Sequence, residues 1–147
     1  MKLQSNIALN GILTITKYNS KKEIISETTV PNLVVTVGKN HIAQRLYTNS
    51  ESLMSHMGIG SNNTTSALTN TTLGTQLARA VLTTVSVSGS NVTFASTFGA
   101  GIGTGSITEA GIFNASTAGT MLCRTTFPVI TKSSSDTIAI AWTVSVG

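Results

Sequence analysis

The alternation of apolar and small polar side chains in TIAIAWTVSV, residues 137–146, constrains the fold more than any other feature. Successive side chains of a strand point to opposite faces, so this pattern gives one hydrophobic face and one polar face. Turns rich in Gly, Asn and Ser separate similar runs at residues 7–18, 24–37, 80–98, 106–113 and 120–131. Short strands at this spacing predict an all-β fold, an antiparallel, jelly-roll-like β-sandwich.

One segment departs from the two-residue period. In GKNHIAQRLYT, Ile42 and Leu46 are four residues apart and Ala43 lies beside them. Apolar residues at this spacing form one face of an amphipathic helix. We therefore expect one short helix near residues 39–48.

A long polar segment follows at residues 61–80, in which Leu73 and Leu77 alone keep helical spacing. This pattern predicts a long loop with one helical turn, and loops of such length often carry function. By contrast, GAGIGTG at residues 99–105 has Gly at every second position and no following Lys-Ser/Thr pair. It therefore predicts a turn between strands rather than a phosphate-binding loop.

The chain length of 147 residues allows one hydrophobic core. Pro31 interrupts the run at 24–37, and because proline cannot donate to a strand ladder, this run should lie at a sheet edge or at a bulge. We expect an N-terminal hairpin or arm at residues 1–31 and the β-sandwich domain at residues 32–147.

Charged residues are unusually scarce, at 10% of the chain against about a quarter in typical soluble domains. Polarity comes instead from Ser and Thr, which leaves little charge repulsion between copies and favours self-association. The net charge of +4 is spread along the chain, with Lys21 and Lys22 as the only adjacent basic pair. Nucleic-acid binders cluster their basic residues, so we expect no nucleic-acid partner.

The N-terminus MKLQSNIALNG lacks the unbroken apolar run and cleavage site of a signal peptide. No window of the sequence approaches eighteen apolar residues, so we expect no membrane association and synthesis in a cytoplasm. The single Cys123 has no partner for an internal disulfide and should pack as a small hydrophobic residue.

Reactive side chains are few, and we expect neither a cofactor nor a catalytic site. His41 and His56 are too few to fill a zinc site, although a metal held by three copies of one histidine on a symmetry axis stays open. Glu109 is the one acidic residue embedded among apolar neighbours, and a buried carboxylate needs a partner. Arg124 or Arg79 could supply it, in a structural ion pair or an intersubunit contact.

The order of several motifs resembles that of small virion proteins of tailed bacteriophages. These motifs are NLVVTVGKNHIAQRL, MGIGSNNTTSALTNTTLGTQLAR and the segment from VTFASTFGAG through ITEAGIF to AWTVSV. The same order, a short helix, GxG, TxL…R, ITEAGIF and a closing strand, is also similar to the N-terminal region of tail-collar fibre proteins. The resemblance covers about residues 32–147.

This resemblance implies a non-enzymatic virion component. It implies a capsid decoration (cement) protein that binds the assembled head, with a tail collar or fibre-attachment protein as the alternative. A carbohydrate-binding host-adhesion module is a third hypothesis, which would need exposed aromatic rings to stack on sugars. The partners of the virion protein would be its own copies, expected as a homotrimer, and the major capsid protein or tail proteins. The ITEAGIF strand, with Ile107, Ile112 and Phe113, should lie in the core, and Arg79 of LGTQLAR should make an intersubunit contact.

Overall fold

The computed structural model describes residues 6–147, which form two five-stranded antiparallel sheets and one helix. This confirms the predicted all-β sandwich. The elements in chain order are β1 (Leu9–Tyr18), β2 (Ile24–Pro31), β3 (Leu33–Val34), α1 (Thr36–Tyr47), β4 (His56–Gly60), β5 (Gln76–Val81), β6 (Thr84–Ser88), β7 (Asn91–Phe98), β8 (Gly105–Phe113), β9 (Met121–Lys132) and β10 (Thr137–Val146).

The first sheet has the strand order β2-β1-β10-β7-β6, and the second has the order β3-β9-β8-β4-β5. The closing strand β10 lies at the centre of the first sheet, where it pairs with β1 and β7. Its alternate residues Ile138, Ile140, Trp142 and Val144 are all at most 3% exposed. The alternation in the sequence therefore corresponds to a strand with one face packed in the core.

Strand β8 also lies as predicted, and Ile107, Ile112 and Phe113 are each at most 1% exposed. Unlike β10, it is buried on both faces, because the second sheet packs against the first sheet on one side and against loop 61–75 on the other. Register shifts at Ile107/Glu109 and at Ile112/Phe113 adjust which side chains reach each face.

The N-terminal hairpin is part of the first sheet rather than a separate arm. Strand β1 pairs with β10 over ten residues, from Leu9–Val146 to Tyr18–Thr137. Leu13 and Ile15 of β1 are buried in the main core. The boundary that we expected near residue 32 therefore falls between two strands of one sandwich, where the chain crosses from β2 to β3.

The predicted strand at 24–37 is divided in the structure. Strand β2 ends at Pro31 on the edge of the first sheet, and β3 pairs with β9 in the second sheet. The helix begins at Thr36, earlier than the predicted residue 39, because the chain leaves β3 after two residues. Gly38 of α1 lies directly against the Leu122 backbone of β9, where a larger residue would clash.

Residues 61–75 form turns and irregular backbone, and Leu77 lies within strand β5. The predicted helical turn at Leu73 and Leu77 was therefore wrong. Leu73 is 4% exposed and packs with Val35, Phe113 and Met121 in a second small core. Leu73 therefore occurs in this polar segment because its own side chain is buried, not because it belongs to the apolar face of a helix.

Within residues 6–147, helix α1 spans twelve residues, and no helix has the length and hydropathy that crossing a membrane would require.

Candidate functional site

The most strongly connected polar group lies on the outer face of the second sheet. Glu109 of β8 and Arg124 of β9 are 0% and 2% exposed. The Nε and Nη2 atoms of Arg124 each lie 2.9 Å from Oε2 of Glu109. Of the two partners considered for Glu109, the structure thus places Arg124 against it.

The Glu109 carboxylate also holds the ends of loop 61–75. It accepts hydrogen bonds from the backbone N–H groups of Asn62, Gly74 and Thr75, at 3.2, 2.9 and 2.8 Å. These hydrogen bonds are partly buried, and a hydrogen bond to a charged group contributes about 1.5–3 kcal/mol. One carboxylate therefore satisfies both ends of the loop.

Arg124 reaches the middle of the same loop. Its Nη1 atom donates to the carbonyl oxygen of Thr64 at 3.0 Å and to Oδ1 of Asn70 at 3.1 Å. Glu109 and Arg124 therefore hold loop 61–75 at both ends and at its centre. The ion pair thus fastens the loop to the second sheet.

Gly60 shows how closely the loop approaches this pair. A Cβ atom at Gly60 would overlap Oε1 of Glu109 and the carbonyl oxygen of Thr75. The last residue of β4 must therefore be glycine for the carboxylate and the loop end to lie where they do. The sequence offered no separate signal for this position beyond its GxG motif.

Arg79 makes its contacts elsewhere on the second sheet. Its Nη1 atom donates to the carbonyl oxygens of Ala115 and Ala118 at 3.0 and 2.9 Å. Its guanidinium carbon lies 3.5 Å from the ring centroid of Phe113, and burial lowers the pKa of the guanidinium. These contacts are within the chain and hold the turn before β9. The intersubunit role expected for Arg79 stays a prediction.

The two histidines lie apart in different surroundings. His41 of α1 is 7% exposed, its Nδ1 atom lies 3.8 Å from Oε2 of Glu51, and burial lowers its pKa. His56 of β4 is hydrogen-bonded through Nδ1 to Oγ of Ser55. Among residues 6–147, no cluster of three or more His, Cys, Asp or Glu side chains is placed to hold a metal ion.

Cys123 of β9 is completely buried in the main core. Burial raises the pKa of its thiol well above the ordinary value, so the thiolate is disfavoured. A buried neutral thiol is a poor nucleophile. The structure thus gives Cys123 the packing role that the sequence predicted.

An apolar groove of about 410 Å³ opens between the first sheet and helix α1. Its walls come from β6, β7 and β10 on one side and from α1 and the following segment on the other. Representative lining residues are Val85, Val87, Phe94, Val144, Ile42 and Leu53. We call this feature the apolar groove. Of its described lining residues, His41 alone has an ionisable side chain.

No pattern in the sequence indicated this groove. Val85 and Val87 belong to the alternating run at 80–98, which predicted strands with one apolar face, yet they are 50% and 71% exposed. Such exposure requires that the second sheet does not cover this end of the first sheet, and this depends on tertiary packing. The local pattern identifies Val85 and Val87 as apolar, but it contains no information about the groove that they line.

Comparison of the chain with protein-family models, with curated proteins and with solved structures gave no match.

Proposed function

We propose that the protein is a non-enzymatic structural component of a bacteriophage virion. Specifically, it is a decoration protein that binds the surface of the assembled head as an oligomer. The observation that carries the proposal is the convergence of the phage-like motifs on one structural feature. MGIG supplies Gly60, LGTQLAR supplies Gly74 and Thr75, and ITEAGIF supplies Glu109, and all of them meet at the carboxylate.

The chemistry of the buried charges supports a structural role. Glu109 accepts from three backbone N–H groups and from Arg124, so its oxygens are engaged within the chain. A general base needs a free lone pair aimed at a substrate proton. This carboxylate, in contrast, is used to hold loop 61–75 on the sheet.

The surface supports repeated protein contacts. It is rich in Ser and Thr and poor in charge, so copies can approach each other or a shell with little repulsion. Leu46 and Tyr47, at the end of α1, are 88% and 93% exposed. Large exposed apolar side chains and an apolar groove are typical of interaction surfaces. Self-association, including the expected trimer, belongs to this proposal.

The aromatic residues give less support to carbohydrate binding. Trp142 and all four Phe residues are at most 7% exposed, so their rings are unavailable for stacking on sugars. Tyr47 is the most exposed aromatic ring, and one ring alone makes a poor sugar platform. We therefore favour a protein-binding role on the virion.

Immunogold electron microscopy of purified particles tests the proposal. Antibodies against the protein should label the head at many sites over its surface. Labelling confined to the junction of head and tail would instead identify a collar or fibre-attachment protein. Particles that carry no label, in a preparation whose major capsid protein is labelled normally, would refute a virion role.

A further inference from the structure

The four edge strands of the two sheets differ in how well they resist pairing with another chain. Strand β2 carries Glu27 and ends at Pro31, β3 is two residues long, and β5 carries Arg79. Charges, prolines and short length are the usual means by which proteins protect exposed sheet edges. Each of these three edges has at least one of them.

Strand β6 has none of these protections. Its sequence is TVSVS, it contains neither charge nor proline, and all five of its residues are exposed. Among the strands of residues 6–147 it pairs with β7 alone, so every second backbone N–H and C=O group faces away from the sheet. An uncharged edge of this kind is a template for an added strand.

The sequence of β6 also fits a second copy of itself. TVSVS has valine at its second and fourth positions and hydroxyl residues at the other three, so its pattern is unchanged when it is read backwards. In an antiparallel pair centred on Ser86, Val85 lies opposite Val87 of the second copy, and hydroxyl residues lie opposite hydroxyl residues. Such a self-complementary patch is what a two-fold interface requires.

We propose that two copies of the protein join through antiparallel pairing of their β6 strands about a two-fold axis at Ser86. The inference rests on the self-association in the proposed function, but not on the location of the protein in a virion. The two five-stranded first sheets would form one sheet of ten strands. The two apolar grooves would then lie side by side on the same face, because Val85 and Val87 of both copies project from that face.

The backbone geometry is consistent with this pairing. A two-residue loop, Gly89 and Ser90, joins β6 to β7, which places hydrogen-bonded pairs at Ser88–Asn91 and at Ser86–Thr93. The backbone groups of Val85 and Val87 therefore face outward, where no other strand of the described part of the chain pairs with them, and they can bond a second β6. The two Ser86 residues would form a non-hydrogen-bonded pair, whose Cα atoms lie about 4.5 Å apart.

Disulfide trapping tests the register. In Ser86→Cys, the two new thiols would lie opposite each other across the axis, within the Cα separation that a disulfide spans. Mild oxidation should give a covalent dimer. Ser88→Cys is the matched control, because the two residues 88 would be four positions apart along the strands, about 13 Å, and should not cross-link. Cys123 is buried and should stay reduced. Cross-linking of both variants alike, or of neither, would overturn the proposed register.

The oligomeric state tests the contact itself. A two-fold contact gives an even number of copies, so light scattering of the purified protein should show dimers, or hexamers if a separate three-fold contact also forms. Val87→Lys should raise the dissociation constant of the dimer at least about tenfold, because it places a charge in the β6–β6 interface. Val129→Lys, at a valine of β9 that is 61% exposed, is the control and should leave association unchanged.

A protein that is monomeric at high micromolar concentration, or one that forms trimers, would overturn the inference, and so would dimers whose dissociation constant Val87→Lys leaves unchanged. Circular dichroism of the variant checks that it is folded, which the 71% exposure of Val87 favours. A monomeric protein that still labels virion heads would refute this contact while leaving the decoration role in place. A dimer paired through β6 that is missing from particles would support this contact and refute the decoration role.

Discussion

The buried Glu109–Arg124 pair allows a quantitative test by the substitution Glu109→Gln. The change keeps the shape of the side chain but removes its charge, and leaves the Arg124 guanidinium unpaired at 2% exposure. Removing one partner of a buried ion pair costs about 3–5 kcal/mol. The Gln side chain also places an N–H₂ group where one of the two carboxylate oxygens accepts from the backbone.

If loop 61–75 detaches so that water reaches Arg124, the loss should fall toward the lower end of this range. We therefore expect a loss of about 3–5 kcal/mol in the free energy of unfolding from urea titration. We also expect faster hydrogen exchange at the amides of Asn62, Gly74 and Thr75, which lose a charged acceptor. Glu27→Gln, at an exposed position of β2, is the control and should change stability by at most about 0.5 kcal/mol. A loss below about 1 kcal/mol with unchanged exchange at the three amides would refute the role assigned to the pair.

Two further predictions follow from the close packing of Gly60 and the burial of His41. Gly60→Ala should lower stability and speed hydrogen exchange in loop 61–75, because the new methyl group would overlap the Glu109 carboxylate. Gly99→Ala is the control, because a methyl group at Gly99 meets no atom within 4 Å and should not lower stability. Equal shifts in melting temperature for the two variants would contradict this prediction. Burial lowers the pKa of His41 below its ordinary 6.5, so the folded state favours the neutral ring. The contribution of the neutral ring to stability should be complete above about pH 6.5 and should be lost as the pH falls through the pKa of the folded state. Urea titrations from pH 7.5 to 5 should show that His41→Asn loses less stability than the wild type, and parallel pH profiles would contradict the assignment.

The sequence predicted the parts of the fold that depend on local pattern. In β10, strict alternation reflects a strand with one buried face, and the predicted and observed strands coincide at residues 137–146. The embedding of Glu109 among apolar residues likewise indicated a buried carboxylate, since a charge in such surroundings requires a partner. These inferences succeed because the local sequence and the tertiary environment agree.

Other features depend on contacts between distant segments. The pattern at 24–37 predicts one strand, but β2 and β3 within this run belong to different sheets. The packing of the two sheets determines where the chain crosses from one to the other. Leu73 has the spacing of a helix with Leu77, yet its burial against Phe113 holds it in an irregular loop. The choice of Arg124 over Arg79 for Glu109 follows from the pairing of β8 with β9, which no local pattern contains.

We propose that this protein acts through its surfaces as part of an assembled particle. Quantitative mass spectrometry of gradient-purified virions measures this most directly, by the ratio of this protein to the major capsid protein. We predict that the protein is retained through purification in a fixed ratio to the capsid protein, as a repeated surface component. Its absence from mature particles, while it accumulates in the infected cell, would contradict the account.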